Sequence, residues 1–240
     1  LGGNFGALTL PDAQKVQPNF RLYLITDRKV AAPRDLVDVC RSVLSTVAEA
    51  GLSSNLAIQL REKDLLGGEL YKLACRLNEL CQRFGAPLLI NERLDIAVAV
   101  EAAGVHLPAE SFPVARVREV LGKGKLIGVS THSLDEVVSA YRNGADFVVF
   151  GPVYSPLSKG RYSQAKGVEA LSDVTRSVPI PVFALGGITA ERVRELSGCG
   201  AAGVAVIGAV MGAESPAQAT LQLLDALSRW ETQPYRQRLD

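Results

Sequence analysis

Gln59, Arg61 and Lys63 stand at every second position, an amide and two cations that an extended backbone turns to one side. With Asn91 as a further amide, such a group suits a phosphate or carboxylate, because cationic and amide N–H groups donate to anionic oxygens. Two glycine turns offer a second kind of anion chemistry. In Leu185-Gly186-Gly187-Ile188-Thr189 and Ile207-Gly208-Ala209-Val210 the absence of side chains lets peptide N–H groups approach an oxyanion where a helix begins. Lys159, in the segment Pro156 to Lys166, adds a cation that can close over the same anion. The two histidines, His106 and His132, lack the spacing of a zinc site.

These residues need a scaffold, and the chain supplies one in eight beats. Short apolar runs alternate with longer amphipathic ones, the signature of strand–helix units around a parallel sheet. The strand candidates are Phe20 to Thr26, Leu56 to Arg61, Pro87 to Ile90, Gly104 to Leu107, Leu126 to Ser130, Phe147 to Gly151, Pro181 to Leu185 and Ala202 to Ile207. Leu36, Val39, Cys40, Val43, Leu44 and Val47 form one helical apolar stripe; Leu70, Leu73, Ala74, Leu77, Leu80, Cys81 and Phe84 form a second. Ser133 with Glu136 fits a capping box, Ser215-Pro216 an N-cap followed by proline, and Thr189 a cap for the seventh helix. Gly51 and Gly85 fall where helices should stop.

Eight such units predict an α/β fold, a single-domain (β/α)8 TIM barrel, at the compact end of a class that averages about 250 residues. An open doubly wound sheet would carry a glycine-rich dinucleotide turn after its first strand, where this chain has Thr26-Asp27-Arg28-Lys29. In a barrel, chemistry gathers on the loops that follow the strands. Here those ends include Gln59 to Lys63, Asn91-Glu92, His106, Ser130-Thr131-His132, Gly151 to Lys159 and both glycine turns, nearly all polar or glycine-rich.

Composition limits what else the protein does. A hydrophobic fraction of 48% over 240 residues can bury a full core, and 26 Lys+Arg against 25 Asp+Glu leave no broad field for nucleic acid or an anionic membrane. The longest uncharged apolar stretch, Ala201 to Ala213, is too short to cross a bilayer. Cys40, Cys75, Cys81 and Cys199 are scattered without a CxxC pair, as suits reduced, buried thiols. These features predict a soluble, cytoplasmic protein with no nucleic-acid or membrane partner, and leave a homo-oligomer open. Residues 1–19 read as an arm, 20–230 as the barrel and 231–240 as a polar tail.

From about Arg21 to about Met211 the chain resembles the thiamin phosphate synthase and thiazole tautomerase (TenI) superfamily. The carriers are Gln59-Leu-Arg61-Glu-Lys63, Ile90-Asn91-Glu92-Arg93-Leu-Asp95, Gly104-Val-His106-Leu, Gly128-Val-Ser130-Thr-His132-Ser, Gly151-Pro-Val-Tyr154, Ala184-Leu-Gly186-Gly187-Ile-Thr and Gly203-Val-Ala-Val. The resemblance implies a thiazole phosphate substrate with its phosphate on Gly186, Gly187, Gly208 and Ala209. Gln59, Arg61, Lys63, Asn91, Ser130 and Lys159 then belong to the remaining substrate contacts. In the synthase branch a hydroxymethylpyrimidine diphosphate loses diphosphate, with Mg²⁺, and the thiazole nitrogen captures the cation. In the tautomerase branch a thiazole carboxylate phosphate is isomerised by proton transfer without a cofactor. His132 matches the position given that acid–base role, and an unperturbed imidazole pKa of about 6.5 suits it.

The departures from the resemblance concern the metal. Where the synthase usually has two Asp, this chain has Glu92 and Ser111, with Glu110 one residue out of register. A usual Thr-x-Thr-Lys reads Pro156-Leu157-Ser158-Lys159. Only Glu92 remains as a carboxylate ligand, so the sequence places the tautomerase ahead of the synthase, with a non-catalytic phosphate-ligand binder or regulator third.

Overall fold

The computed structural model describes residues 17–155 and 164–230. Most of the expected arm, the tail and Lys159 lie outside the described residues.

Eight parallel strands close in chain order into a barrel: β1 (Leu22–Ile25), β2 (Leu56–Leu60), β3 (Leu88–Asn91), β4 (Gly104–Leu107), β5 (Leu126–Thr131), β6 (Phe147–Phe150), β7 (Val182–Leu185) and β8 (Gly203–Val206). Helices lie outside: α1 (Arg28–Ala31), α2 (Leu36–Glu49), α3 (Gly67–Phe84), α4 (Leu94–Ala99), α5 (Val114–Leu121), α6 (Leu134–Arg142), α7 (Gly167–Ser177), α8 (Ala190–Glu195), α9 (Gly208–Met211) and α10 (Pro216–Ser228). The (β/α)8 barrel expected from the rhythm of the sequence is the fold. Its strands read as unbroken apolar runs because both faces are covered, one by the axis and one by helices.

Alternation divides the core in two. Tyr23, Ile25, Ala57, Leu89, Phe147, Val149 and Phe183 fill the barrel axis with Phe20. Phe147 stands edge-on to Phe20, Tyr23 and Phe183 at centroid separations of 5.6, 5.6 and 5.5 Å, the arrangement that aromatic quadrupoles favour. The intervening strand residues pack outward against the helices, where the whole predicted α2 stripe is buried.

The helix ends largely follow the predicted chemistry. Gly85 closes α3 in the left-handed conformation, and Thr189 and Ser133 cap α8 and α6. The capping box at Ser133 is offset by one residue: the Glu136 carboxylate accepts from the His132 N–H at 2.8 Å. Ser215 precedes Pro216 as expected but makes no side-chain cap bond. β2 ends at Leu60, one residue earlier than expected, so Lys63 lies in a turn and is exposed. The strand alternation that aligned it with Gln59 and Arg61 does not extend that far. No helix among the described residues is long and apolar enough to cross a membrane.

Candidate active site

Four polar side chains occupy inward positions on consecutive strands, beyond the aromatic filling. The Gln59 amide on β2 donates to Asn91 Oδ1 on β3 at 3.1 Å. Asn91 is the register partner of His106 on β4, and His106 Nε2 is hydrogen-bonded to the Ser130 hydroxyl on β5 at 2.8 Å. A Cβ at Gly128 would lie 2.8 Å from His106 Nδ1, so the glycine on β5 makes room for the imidazole. Gln59 and His106 are buried, yet Gln59 Oε1, His106 Nδ1 and the nearby Tyr23 hydroxyl have no partner among the described residues. Buried polar groups are ordinarily paired, so three unsatisfied atoms in one region are suited to a polar ligand or water. Burial, followed by the charge of Arg61, lowers the His106 pKa to about 3. The ring is therefore neutral at physiological pH and works as a hydrogen-bonding group rather than a cation.

Arg61 is half-buried at the rim, and its backbone is fixed by a residue that sequence reasoning passed over. Glu62 is buried; its carboxylate accepts from the Thr26 hydroxyl at 2.8 Å and from the Arg28 N–H at 3.1 and 3.2 Å. The Arg61 N–H in turn donates to Thr26 Oγ1 at 2.9 Å. The ends of β1 and β2 are thus tied together beneath the cation. Burial raises the Glu62 pKa, partly offset by the hydrogen bonds from Thr26 and Arg28. Glu62 lies beyond the end of β2, so strand alternation gave no signal for its burial, and a buried carboxylate requires such partners.

At the end of β3, Glu92 adopts a left-handed φ of 62°, uncommon outside glycine, and its N–H is held by the His106 carbonyl at 2.8 Å. The Ser111 hydroxyl reaches Glu92 Oε1 at 3.4 Å. The two positions singled out for a metal therefore meet. No cluster of three or more His, Cys, Asp or Glu able to hold a metal occurs among the described residues. One carboxylate and one hydroxyl still suit Mg²⁺, which binds through one or two carboxylates and takes its other oxygens from water and substrate phosphates. Glu92 and Ser111 would hold it.

Across the mouth, both glycine turns lie on the same rim, after β7 and β8. Gly186 and Gly187 have φ of 104° and 61°. A Cβ on Gly187 would come within 2.8 Å of the Ser155 carbonyl, so the fold itself requires this glycine. Gly208 differs, because it is exposed and nothing lies within 4 Å of a Cβ built on it. The N–H groups of Gly208 and Ala209 open α9 and have no acceptor within the helix.

His132 is exposed after β5; its Nδ1 donates to the Gly151 carbonyl at 2.7 Å. No hydrogen bond joins it to Gln59, Asn91, His106 or Ser130 among the described residues. The structure thus assembles Gln59, Asn91 and Ser130 with His106, with Arg61 half-buried at the rim and His132 and Lys63 exposed.

A family model described as thiamine monophosphate synthase matches residues 22–210, from the first strand through the turn after the last. The chain belongs to the thiamine monophosphate synthase family. A Geobacter sulfurreducens relative is 46% identical over 217 residues, 89% of this chain and 98% of that protein. A thiamine-phosphate synthase of Chlorobium luteolum is 44% identical over 189 residues, 79% of this chain and 89% of the relative. Among solved structures, the thiamine phosphate pyrophosphorylase of Pyrococcus furiosus superposes with a TM-score of 0.76 at 34% identity, over 88% of this chain and 96% of that one. The resemblance drawn from the motifs is correct at the level of the family. The order of its two branches is not supported, since these relatives carry the name of the synthase, which the sequence reading placed second. Membership in the thiamine monophosphate synthase family places the chain in thiamin biosynthesis.

Proposed function

We propose that the chain is a thiamine-phosphate synthase, a transferase that joins a pyrimidine methyl diphosphate to a thiazole phosphate. The observation that carries this reading is the division of the barrel mouth. The Gln59 and Asn91 amides, an imidazole and Arg61 occupy one side, and two glycine turns occupy the other. A reaction that brings together two phosphorylated substrates needs two such regions. In the step proposed, the C–O bond to diphosphate breaks with its electron pair leaving on oxygen, and the thiazole nitrogen lone pair forms the new C–N bond.

Gln59 Oε1, buried and unpartnered, would accept an N–H of the pyrimidine, while Asn91 and Ser130 would align the ring. Arg61, Lys63 and Lys159 would take the diphosphate charge. Gly186, Gly187, Gly208 and Ala209 would hold the thiazole phosphate. When bound at Glu92 and Ser111, Mg²⁺ supplies neutralisation of the leaving diphosphate. His132 is not needed as a base, because the coupling itself removes no proton through a side chain.

The test is a pair of assays. With both substrates and Mg²⁺, diphosphate release at an enzymatic rate is expected, and His132→Ala should retain it within about threefold, because a group outside the reacting set contributes little to the transition state. Aromatisation of the carboxylated thiazole tautomer without diphosphate release, abolished by His132→Ala, would replace this reading with the tautomerase. Binding without either reaction would leave the phosphate-ligand binder.

A further inference from the structure

Charges alternate in sign where β2 leaves the barrel, through Arg61, Glu62, Lys63 and Asp64. Lys and Arg carry long stems, so a free carboxylate one residue away is a ready partner. The fold sorts the signs instead. Glu62 is buried and held by the Thr26 hydroxyl at 2.8 Å and by the Arg28 N–H at 3.1 and 3.2 Å. Asp64 Oδ2 is taken by Arg28 Nη2 and by Lys29 Nζ, both at 2.8 Å. Asp27, after β1, accepts from the N–H groups of Lys29 and Val30 at 3.0 and 3.1 Å and so caps α1.

Both cations of the run are left over. Among the described residues neither Arg61 nor Lys63 makes an ion pair, although each has a carboxylate beside it in sequence. The Arg61 charge is felt in the site, since after burial it is the second cause of the low His106 pKa. This partition matters because a carboxylate that reaches a cation competes with any anionic ligand for the same charge and the same N–H donors. Glu62 is secured by the Thr26 hydroxyl and a main-chain N–H, whereas Asp64 is held by two side chains. Replacing those two side chains therefore releases Asp64 and leaves the bonds of Glu62 to Thr26 and the Arg28 N–H in place.

We infer that Arg28 and Lys29 are positioning residues for the diphosphate subsite: by holding Asp64 they keep its carboxylate off Arg61 and Lys63, whose charges stay free for substrate. The inference rests on the proposed capture of diphosphate by Arg61 and Lys63 and goes beyond it by assigning the residues that keep those cations unpaired. Neither Arg28 nor Lys29 touches substrate in this assignment.

The experiment is a cycle of wild type, Arg28→Met/Lys29→Met, Asp64→Asn and the triple variant. Each is titrated with inorganic diphosphate, and KM is measured for both substrates. Arg28→Met/Lys29→Met should weaken diphosphate binding and raise KM for the pyrimidine diphosphate about three- to fivefold, the order of one exposed ion pair. KM for thiazole phosphate should stay within about twofold, the pattern of a loss confined to one subsite. Adding Asp64→Asn to that variant should restore diphosphate binding to within about twofold of wild type, whereas Asp64→Asn alone should change it by less, a non-additivity that marks groups in contact. Equal tightening by Asp64→Asn in both backgrounds would overturn the inference, because overall charge rather than the partition would then set affinity. A loss that Asp64→Asn does not relieve would overturn it as well. Lys29→Met, at an exposed side chain, carries the same cycle if the double exchange fails to fold. Wild-type protein that binds neither inorganic diphosphate nor the pyrimidine diphosphate would overturn the diphosphate reading and this inference together; failure of the cycle alone leaves that reading standing.

Discussion

The two sides of the barrel mouth present hydrogen-bonding groups made of different materials. On β2 to β5 the donors and acceptors are side chains paired across strands: Gln59 with Asn91 and His106 with Ser130. On β7 and β8 they are peptide N–H groups exposed by the absence of side chains. The first region derives its precision from the strand register. The second derives it from glycine backbone geometry, with Gly186 and Gly187 at φ of 104° and 61°. A side-chain site can therefore be dismantled one residue at a time, whereas a backbone site changes only when its glycines or their supports change.

The largest expected effect lies on the side-chain half. Arg61→Ala removes the half-buried cation at the rim and should lower kcat/KM for diphosphate release by about 10²–10³, the usual cost of deleting an electrostatic donor to a developing anion. Its melting temperature should stay near that of the wild type, since Glu62 and Thr26 remain bonded to each other. A loss below tenfold would show that the diphosphate charge is carried elsewhere.

A smaller pair of effects separates glycines that serve the fold from glycines that serve the ligand. Gly187→Ala forces a side chain into a left-handed residue facing the Ser155 carbonyl, and it should destabilise the protein by about 2 kcal/mol or more in a denaturant titration. Gly208→Ala meets open space, so its stability should be unchanged within about 0.5 kcal/mol. Its KM for thiazole phosphate should nonetheless rise. Equal stability losses would erase the distinction.

A separate effect on stability is a pH dependence. His106 has a folded pKa of about 3 against an unperturbed 6.5, so the unfolded chain binds its proton first as the pH falls. The associated stability is complete above about pH 6.5 and is lost progressively toward pH 3, with a slope of up to about 1.4 kcal/mol per pH unit. His106→Asn should flatten this acid limb in chemical denaturation measured between pH 4 and 7. An unchanged limb would mean that other groups dominate acid unfolding.

What was legible in the sequence differs between the same two regions. The glycine turns could be read directly, because glycine type and the rhythm of the strands placed them on the functional rim. The barrel could be read for the same reason: apolar runs and the stripes on α2 and α3 need only local periodicity. The pairing of Gln59 with Asn91 spans 32 residues and that of His106 with Ser130 spans 24, so no local pattern announced either. Glu62 was hidden within a run of charges just past the end of β2, and its partners Thr26 and Arg28 are more than 30 residues away. Lys63 lies past Leu60, where β2 ends, so alternation alone does not fix its direction. The choice between synthase and tautomerase turned on counting carboxylates, and counting alone does not reveal that Ser111 meets Glu92.

The twist at Glu92 sets robustness against turnover. An L-residue held at φ 62° is strained by about 1–2 kcal/mol, and Gly at that site would relieve it. The same exchange deletes the carboxylate proposed to hold Mg²⁺. If that proposal holds, breeding this chain for heat tolerance alone would favour Glu92→Gly and yield a hardier, slower catalyst.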